Sequence, residues 1–315
     1  MTMMLFHSMH GFRIRDIILV LVVVASMGTA ILFPDFGSRF RALPFYSLMI
    51  NFFLSYLSVD LLSVWKMLRR YSVRILLITI AKLVILPVVF YFIFQLIAPD
   101  YALSALLLTG VSTGVVAPMI SNMVRGNSAL VLLVVVITSV LAPFTLPALI
   151  KATLARDSVI SFASMLQTLS AVIFIPITAV EIVRRVLPRV VTPIMRMQYP
   201  LSLLLFAIIN LGVFYRYAPF FKRDPHVIFT ATLVTLILAG IYCILGILFF
   251  RAGPVEDRLA GAVTLVNINN VLVIVFSSEF FGPLEPLVAA MYMIPFFVVV
   301  IPLRYYAHWH SAKVR

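Results

Sequence analysis

Two apolar stretches of this chain are interrupted by residues that can bind a small molecule. One interruption covers residues 116–122 and the other residues 267–270, about half a chain later. A proline in a helix frees carbonyl oxygens one turn upstream, and an asparagine both donates and accepts hydrogen bonds. The residues that these interruptions offer to a polar ligand are Pro118, Ser121, Asn122, Asn267, Asn269 and Asn270.

These polar clusters also have a structural explanation. Polar side chains in apolar helices join neighbouring helices through hydrogen bonds, each worth roughly 0.6 to 2 kcal/mol. For one asparagine alone we favour that role. Polar residues in a membrane span are costly, however, and usually face a cavity. Two clusters at corresponding places in the chain therefore favour a binding site.

Lys82 lies well inside another apolar stretch, where an unpaired ammonium is strongly disfavoured. Three explanations are open. In the one we favour, Lys82 supplies positive charge to the binding site. In the second, its stem extends until the ammonium reaches the cytoplasmic surface. In the third, it pairs with Asp60.

The composition places all these residues in a membrane. Hydrophobic residues make up 63% of the 315 residues and charged residues 11%, and the mean hydropathy is +1.14. A soluble domain cannot bury that much apolar surface in one core. The net charge of +13 is explained by membrane topology and anionic lipid headgroups, so nucleic-acid binding is not expected.

Windows of about 20 apolar residues predict an all-α polytopic membrane protein with ten transmembrane helices. The first window is too long for a signal peptide, because apolar residues continue to Phe33. The predicted spans are 17–33, 45–62, 74–97, 102–123, 128–150, 159–182, 199–217, 226–250, 259–278 and 285–305.

The basic residues predict the orientation of these spans. Of the 24 Lys and Arg residues, 16 fall at one set of span ends and seven at the other, and Lys82 lies between them. By the positive-inside rule, both termini are cytoplasmic. We expect a multi-pass protein of the plasma membrane, which is the inner membrane of a bacterium.

The ten spans divide into two five-helix halves, residues 1–155 and 156–315. In each half the fourth span is interrupted and the fifth carries two prolines. Because five spans per half is an odd number, the second half is inverted, and paired interruptions in inverted repeats mark a substrate site near the membrane midplane. The longest polar connection, residues 184–199, is too short to separate two soluble domains, so we expect one integral membrane unit.

Several motifs resemble, in order and spacing, those of the bile acid:sodium symporter family, which belongs to the bile/arsenite/riboflavin transporter superfamily. The motifs are residues 53–60 continuing to 67–70, 81–87, 118–122 with 125–127, and 257–258 leading to 269–270. The chain resembles a divergent bacterial-type member. The resemblance implies a core domain and a panel domain, crossed discontinuous helices 4 and 9, and an organic anion bound beside the crossing.

The resemblance also bears on the coupling ion. In the sodium-coupled members a glutamine at the position of Lys82 helps to hold sodium, and a glutamate stands where this chain has Leu265. The remaining ligand positions hold Ser121, Asn122, Val131 and Val135, of which only the first two are polar. The resemblance therefore implies that the tethered ammonium of Lys82 replaces a bound cation and that sodium is not strictly required.

Weaker candidates for cavity lining are Asn51, Ser55, Thr113, Ser139 and Asn210. Glu181 lies beside Arg184 and Arg185, so we expect a surface ion pair there. The sequence shows neither metal-ligand spacing within an apolar segment nor a Ser/His or paired-Asp arrangement at membrane depth. We therefore predict no metal, no cofactor and no enzymatic activity.

Together these features predict a secondary transporter that moves a small organic anion by alternating access, as a monomer or weak homodimer. Coupling to Na⁺ or H⁺ stays open. One alternative is a sodium-coupled, bile acid-type symporter that uses Ser121, Asn122, Asn269 and free carbonyl oxygens. Another is a membrane sensor or scaffold of the same fold that transports nothing.

Overall fold

The computed structural model describes residues 14–59, 73–154 and 161–313, which are almost entirely helical. Its α-helices are α1 (Ile14–Leu32), α2 (Pro34–Ser38), α3 (Pro44–Tyr56), α4 (Val73–Ile97), α5 (Ala102–Gly110), α6 (Ala117–Met123), α7 (Ser128–Thr153), α8 (Phe162–Val186), α9 (Pro188–Phe214), α10 (Ala218–Arg223), α11 (His226–Phe249), α12 (Val255–Val266), α13 (Asn270–Phe280), α14 (Leu284–Met291), α15 (Met293–Val298) and α16 (Val300–Lys313).

Six helical segments in these ranges are long and apolar enough to cross a membrane. They are Val73–Ile97, Ser128–Thr153, Phe162–Val186, Pro188–Arg223, His226–Phe249 and Leu284–His310. The other predicted spans fall on the shorter helices α1 and α3 and on the helix pairs α5–α6 and α12–α13. Apolar side chains such as Leu96 and Phe229 are 85% and 71% exposed, as lipid-facing residues are. The chain is a multi-pass membrane protein, whereas the count of ten spans and the inverted repeat stay predictions.

The helices form two packing groups. The first, which we call the panel, consists of α1, α3, α8 and α9, and in it α9 packs along both α1 and α3. The second, the core group, contains α4 to α7 and α11 to α16, and its closest pair is α11 with α12. The core and panel domains that the resemblance implies stay a prediction, and the two names are used here only for these packing groups.

The connection predicted at residues 184–199 is wrong, because most of it is helical. α8 ends at Val186 and α9 begins at Pro188. Proline suits the first turn of a helix, where its missing N–H has no partner to lose. The predicted span 199–217 is therefore only the C-terminal part of a helix of 27 residues.

The surface ion pair predicted for Glu181 is confirmed, since Arg184 Nη1 lies 3.3 Å from Glu181 Oε1. Arg184 Nη2 also donates to the carbonyl oxygens of Tyr56, Leu57 and Val59, at 3.2, 3.0 and 2.6 Å. These oxygens lie at the C-terminal end of α3 and just beyond it, where a cation is favourable because of the helix dipole. Arg184 thus fastens α8 to α3 within the panel.

A π-helical turn interrupts α4 at Ala81–Ile85. Its sequence cause is Pro87, which has no N–H for the carbonyl one turn upstream. The helix widens by one residue at this turn instead, and the N–H of Leu86 donates a hydrogen bond to the carbonyl oxygen of Ala81. Lys82 lies on this turn, and π-helical turns are frequent at functional sites.

Candidate functional site

Two broken helices cross inside the core group. The chain leaves helical conformation between α5 and α6 and again between α12 and α13, and the two breaks pair antiparallel. Gly114 N donates to Asn267 O at 2.8 Å, and Asn269 N donates to Ser112 O at 2.9 Å. Helix ends leave backbone groups without partners, which hydrocarbon cannot satisfy. Each break therefore supplies the partners that the other lacks.

The first break lies upstream of its predicted place. Residues 111–116 are non-helical, whereas Pro118, Ser121 and Asn122 belong to the short helix α6. Proline is favoured in the first turn of a helix, so Pro118 marks the restart of the helix and not its interruption. The close approach is made at Gly114, where an added Cβ would lie only 2.8 Å from Ile268 O.

The second break lies where the sequence predicts it, between Val266 and Asn270. The Asn269 side chain caps α13 by accepting from Leu272 N at 3.3 Å. Asn267 is fully buried and donates from Nδ2 to Phe296 O at 2.9 Å, and Asn270 donates to Ala289 O at 3.5 Å. Asn267 and Asn270 therefore also join helices, as the structural explanation predicts.

A cleft lies beside the crossing, between the panel and the core group. Its cavity volume is about 90 Å³. The panel contributes Leu19, Leu48, Asn51, Phe52, Ser55 and Phe206. The core group contributes Gly114, Val115, Val116, Ile268, Asn269, Asn270, Val271, Met293, Phe296 and Phe297.

The lining suits a ligand with one polar end and an apolar body. Its polar side chains are three carboxamides and one hydroxyl, and most other lining residues are aliphatic or aromatic. None of the described lining residues is ionisable. The first turn of α13 reaches the cleft at Asn270 and Val271, and the N-terminal end of a helix carries partial positive charge that favours an anion.

The cleft gathers four predicted site residues, namely Asn51, Ser55, Asn269 and Asn270, while the others lie elsewhere. Asn122 is exposed on α6. Ser121, Ser139 and Thr113 are fully buried, and Thr113 Oγ1 donates to Thr264 O at 3.0 Å. Asn210 donates to Ser26 Oγ at 3.1 Å inside the panel. Thr113 and Asn210 thus join helices, whereas the hydroxyls of Ser121 and Ser139 have no hydrogen-bond partner among the described residues. Every binding role stays a prediction.

Lys82 is fully buried and does not line the cleft. The predicted extension of its ammonium to the surface is therefore wrong. Its Nζ has no hydrogen-bond partner among the described residues and lies 5.9 Å from the centre of the Tyr242 ring. Asp60, the other partner considered, falls outside the described residues, as does the segment that follows it to residue 72.

The apolar part of the cleft has no distinguishing signal in the sequence. Leu19, Phe206, Met293, Phe296 and Phe297 line it, but each lies in an apolar helix where a lipid-facing or packed residue has the same character. Only the polar residues of a membrane cavity differ from their sequence surroundings, so only they can be picked out in advance.

The comparison with known families gives one match. The model of the Sodium Bile acid symporter family matches residues 45–220, more than half of the chain. The matched stretch contains the first break and the panel helix α9, and ends before the second break. No curated protein matches the chain.

Proposed function

Because the chain belongs to the sodium bile acid symporter family, we propose that it is a secondary transporter of an organic anion that works by alternating access. The crossing of the two breaks beside the cleft carries this proposal. Irregular backbone at membrane depth is tolerated where it lines a cavity, and transporters bind substrate at such broken helices. Membership of this family supports a transporter rather than an enzyme.

In this mechanism the panel rocks against the core group, and the cleft between them opens to one side of the membrane at a time. The substrate's charged end contacts Asn269, Asn270 and the first turn of α13. Its apolar body packs against the aromatic side chains of the panel and of α15, such as Phe206 and Phe296. The lining thus fits an amphipathic carboxylate or sulfonate.

We further propose that transport does not require sodium. Alkali and alkaline-earth cations are hard ions that bind through oxygen ligands. In this chain Val131, Val135 and Leu265, which occupy positions of the family's sodium ligands, are buried and apolar. Lys82 adds a cationic group whenever it is protonated, and two unit charges 4 Å apart repel by ~4 kcal/mol at the effective dielectric constant of a protein.

A sodium-coupled symporter is the second candidate, and one observation favours it. Several buried oxygen atoms near the crossing have no hydrogen-bond partner among the described residues. They are Ser112 Oγ, Ser121 Oγ, Thr264 Oγ1 and Asn267 Oδ1. Oxygen atoms of this kind are what a small cation needs, so a direct test has to decide between the two candidates.

The test is uptake by the purified protein in proteoliposomes. Labelled taurocholate and a series of smaller carboxylates and sulfonates are offered with sodium outside, or with potassium in its place, at fixed pH and membrane potential. We expect saturable uptake of at least one anion at equal rates in both media. Uptake only with sodium would establish the second candidate. Absence of uptake and of exchange for every anion would contradict the transporter proposal.

The orientation belongs to the same proposal. From the excess of basic residues at one set of span ends, we propose that both termini are cytoplasmic and that the membrane is the inner membrane of a bacterium. Labelling of single cysteines introduced near each terminus, in a variant without Cys243, measures it. Reaction with an impermeant reagent in intact cells would reverse the assignment.

A further inference from the structure

The side chain of Lys82 is enclosed within the core group. It is 0% exposed, and its Nζ has no hydrogen-bond partner in the described ranges. The Tyr242 ring, 5.9 Å away at its centre, lies at the outer limit of a cation–π contact. Phe90 packs on the same ring with centroids 5.3 Å apart, so the aromatic face is itself sheltered.

Within the part of the chain that the structure describes, the helices packed around Lys82 offer it no acid. Its π-helical turn packs against α5 and α7, and Tyr242 approaches it from α11. None of α4, α5, α7 and α11 contains Asp or Glu. Their other basic residues lie at helix ends: Arg74 pairs with Asp257 at 2.9 Å, and Lys151 lies over the Phe162 ring. Among the described residues, the titratable side chain that faces Lys82 is therefore Tyr242.

A permanent ammonium at this place would be fully buried, with no acceptor among the described residues. An unpaired buried ion costs several kcal/mol, whereas a neutral amine buried among apolar groups costs far less. We infer that Lys82 is the proton-binding site of this transporter, neutral in the conformation described here and protonated during the transport cycle.

The proton balance is simple. The lone pair of Lys82 Nζ takes one proton from water on the side to which the protein opens, and the resulting ammonium offsets the charge of a monoanionic substrate. The same proton leaves on the other side, which restores the amine, and no bond to the substrate is made. One proton then crosses with one monoanion, and no net charge moves. This stoichiometry rests on the proposed function, whereas the proton site itself does not.

The packing connects Lys82 to the crossing. The helix that carries Tyr242, α11, lies against α12 so closely that a Cβ at Gly246 would overlap the backbone of Gly261 and Ala262. α12 ends at Val266, whose carbonyl accepts a hydrogen bond from Tyr292 Oη at 3.0 Å. A change of charge beside Tyr242 therefore acts on a helix pair that ends at the crossing.

Lysine-selective ¹⁵N NMR tests the proton site without any substrate. The chain has five lysines, namely Lys66, Lys82, Lys151, Lys222 and Lys313. The variant Lys82→Met assigns the resonance of Lys82, and Lys82→Gln replaces it if Lys82→Met fails to fold. In nanodiscs at mildly alkaline pH, we expect Nζ of Lys82 to have the ¹⁵N chemical shift of a neutral amine and the other four lysines to have that of an ammonium. On acidification, the chemical shift of Lys82 should move to the ammonium value. An ammonium signal for Lys82 throughout would overturn the inference.

Transport in potassium medium tests the coupling. Proteoliposomes loaded with a pH-sensitive dye receive taurocholate, and we expect the lumen to acidify as uptake proceeds, one proton for each anion. Lys82→Gln and the permanently charged Lys82→Arg should abolish the acidification, while the exposed control Lys151→Gln should preserve it. Sodium-independent uptake without acidification would refute the coupling and leave the proposed function intact. Absence of uptake would count against the proposed function, and the NMR result would still decide the proton site.

Discussion

The two breaks that cross in this molecule are maintained by opposite means. The first depends on a missing side chain, because Gly114 touches the carbonyl of Ile268. The second depends on side chains that are present, since Asn269 caps α13 and Asn267 bonds to Phe296. The crossing therefore needs space in the first break and side-chain hydrogen bonds in the second. Substitutions in the two breaks should fail in different ways.

The largest effect is expected for Gly114→Val. The new side chain would collide with the backbone of the second break, and overpacking of this kind costs typically about 1–3 kcal/mol. We expect loss of transport together with a lower melting temperature in detergent, measured by tryptophan fluorescence and size-exclusion chromatography.

Gly240→Ala is the matched control for that variant. An added Cβ at Gly240 meets nothing within 4 Å, and alanine is favoured over glycine within a helix by roughly 0.5–1 kcal/mol. Stability should be equal or slightly higher, with normal transport. Equal damage in both variants would show that glycine matters here for general helix flexibility and not for the crossing.

The second prediction concerns Asn269→Ala. Loss of the cap costs about 1 kcal/mol, which the fold should tolerate, but the cleft loses an amide that faces the substrate. Anion uptake should fall by more than about tenfold, equivalent to 1.4 kcal/mol, in a monodisperse protein. Asn122→Ala, at an exposed position on α6, serves as control and should transport normally. Normal uptake by the Asn269 variant would remove that residue from the binding site.

Asn267→Ala should show the reverse pattern. Its amide bonds to Phe296 and does not reach the cleft, so the variant leaves a buried carbonyl without a donor, at a cost of about 1–3 kcal/mol. We expect the melting temperature to fall and uptake per folded molecule to change little. A loss of uptake at unchanged stability would place Asn267 in the binding site after all.

The smallest effect is expected for Thr113→Val in the first break. Valine keeps the shape but loses the hydrogen bond from the threonine hydroxyl to Thr264 O, worth about 1 kcal/mol. Transport should persist, with a small drop in thermal stability. A severe defect would mean that the first break also depends on its side chains, which would end the contrast between the two breaks.

The sequence predicted the second break more accurately than the first for a physical reason. An asparagine can start a helix with its own side chain, as Asn269 does for α13, so Asn269 marks the break where it occurs. The first break is made by backbone contacts at Ser112 and Gly114 with a partner about 150 residues away, and nothing nearby in the sequence encodes that partner. Pro118 drew attention because it lies within an apolar stretch, yet proline is compatible with the start of a helix.

The same reasoning explains which site residues could be found in advance. Burial of Lys82 follows from its apolar neighbours in sequence, but its separation from the cleft depends on how α4 packs in the core group. The polar lining residues Asn51 and Asn269 stand out in apolar helices, whereas Phe206 does not. Periodicity and composition reveal the helices and the polar residues within them. Tertiary packing decides which of those polar residues lie together in the cleft.

The paired hydrogen bonds of the crossing have a consequence for biosynthesis. Gly114 N and Ser112 O find their partners only in residues 267–269, which the ribosome adds about 150 residues later. At roughly 5–20 residues per second, synthesis of those partners follows the first broken helix by about 8 to 30 s. The first half of the chain by itself therefore lacks the hydrogen-bond partners that Gly114 N and Ser112 O have in the complete fold. Expressed alone, it should be a substrate for membrane quality-control proteases.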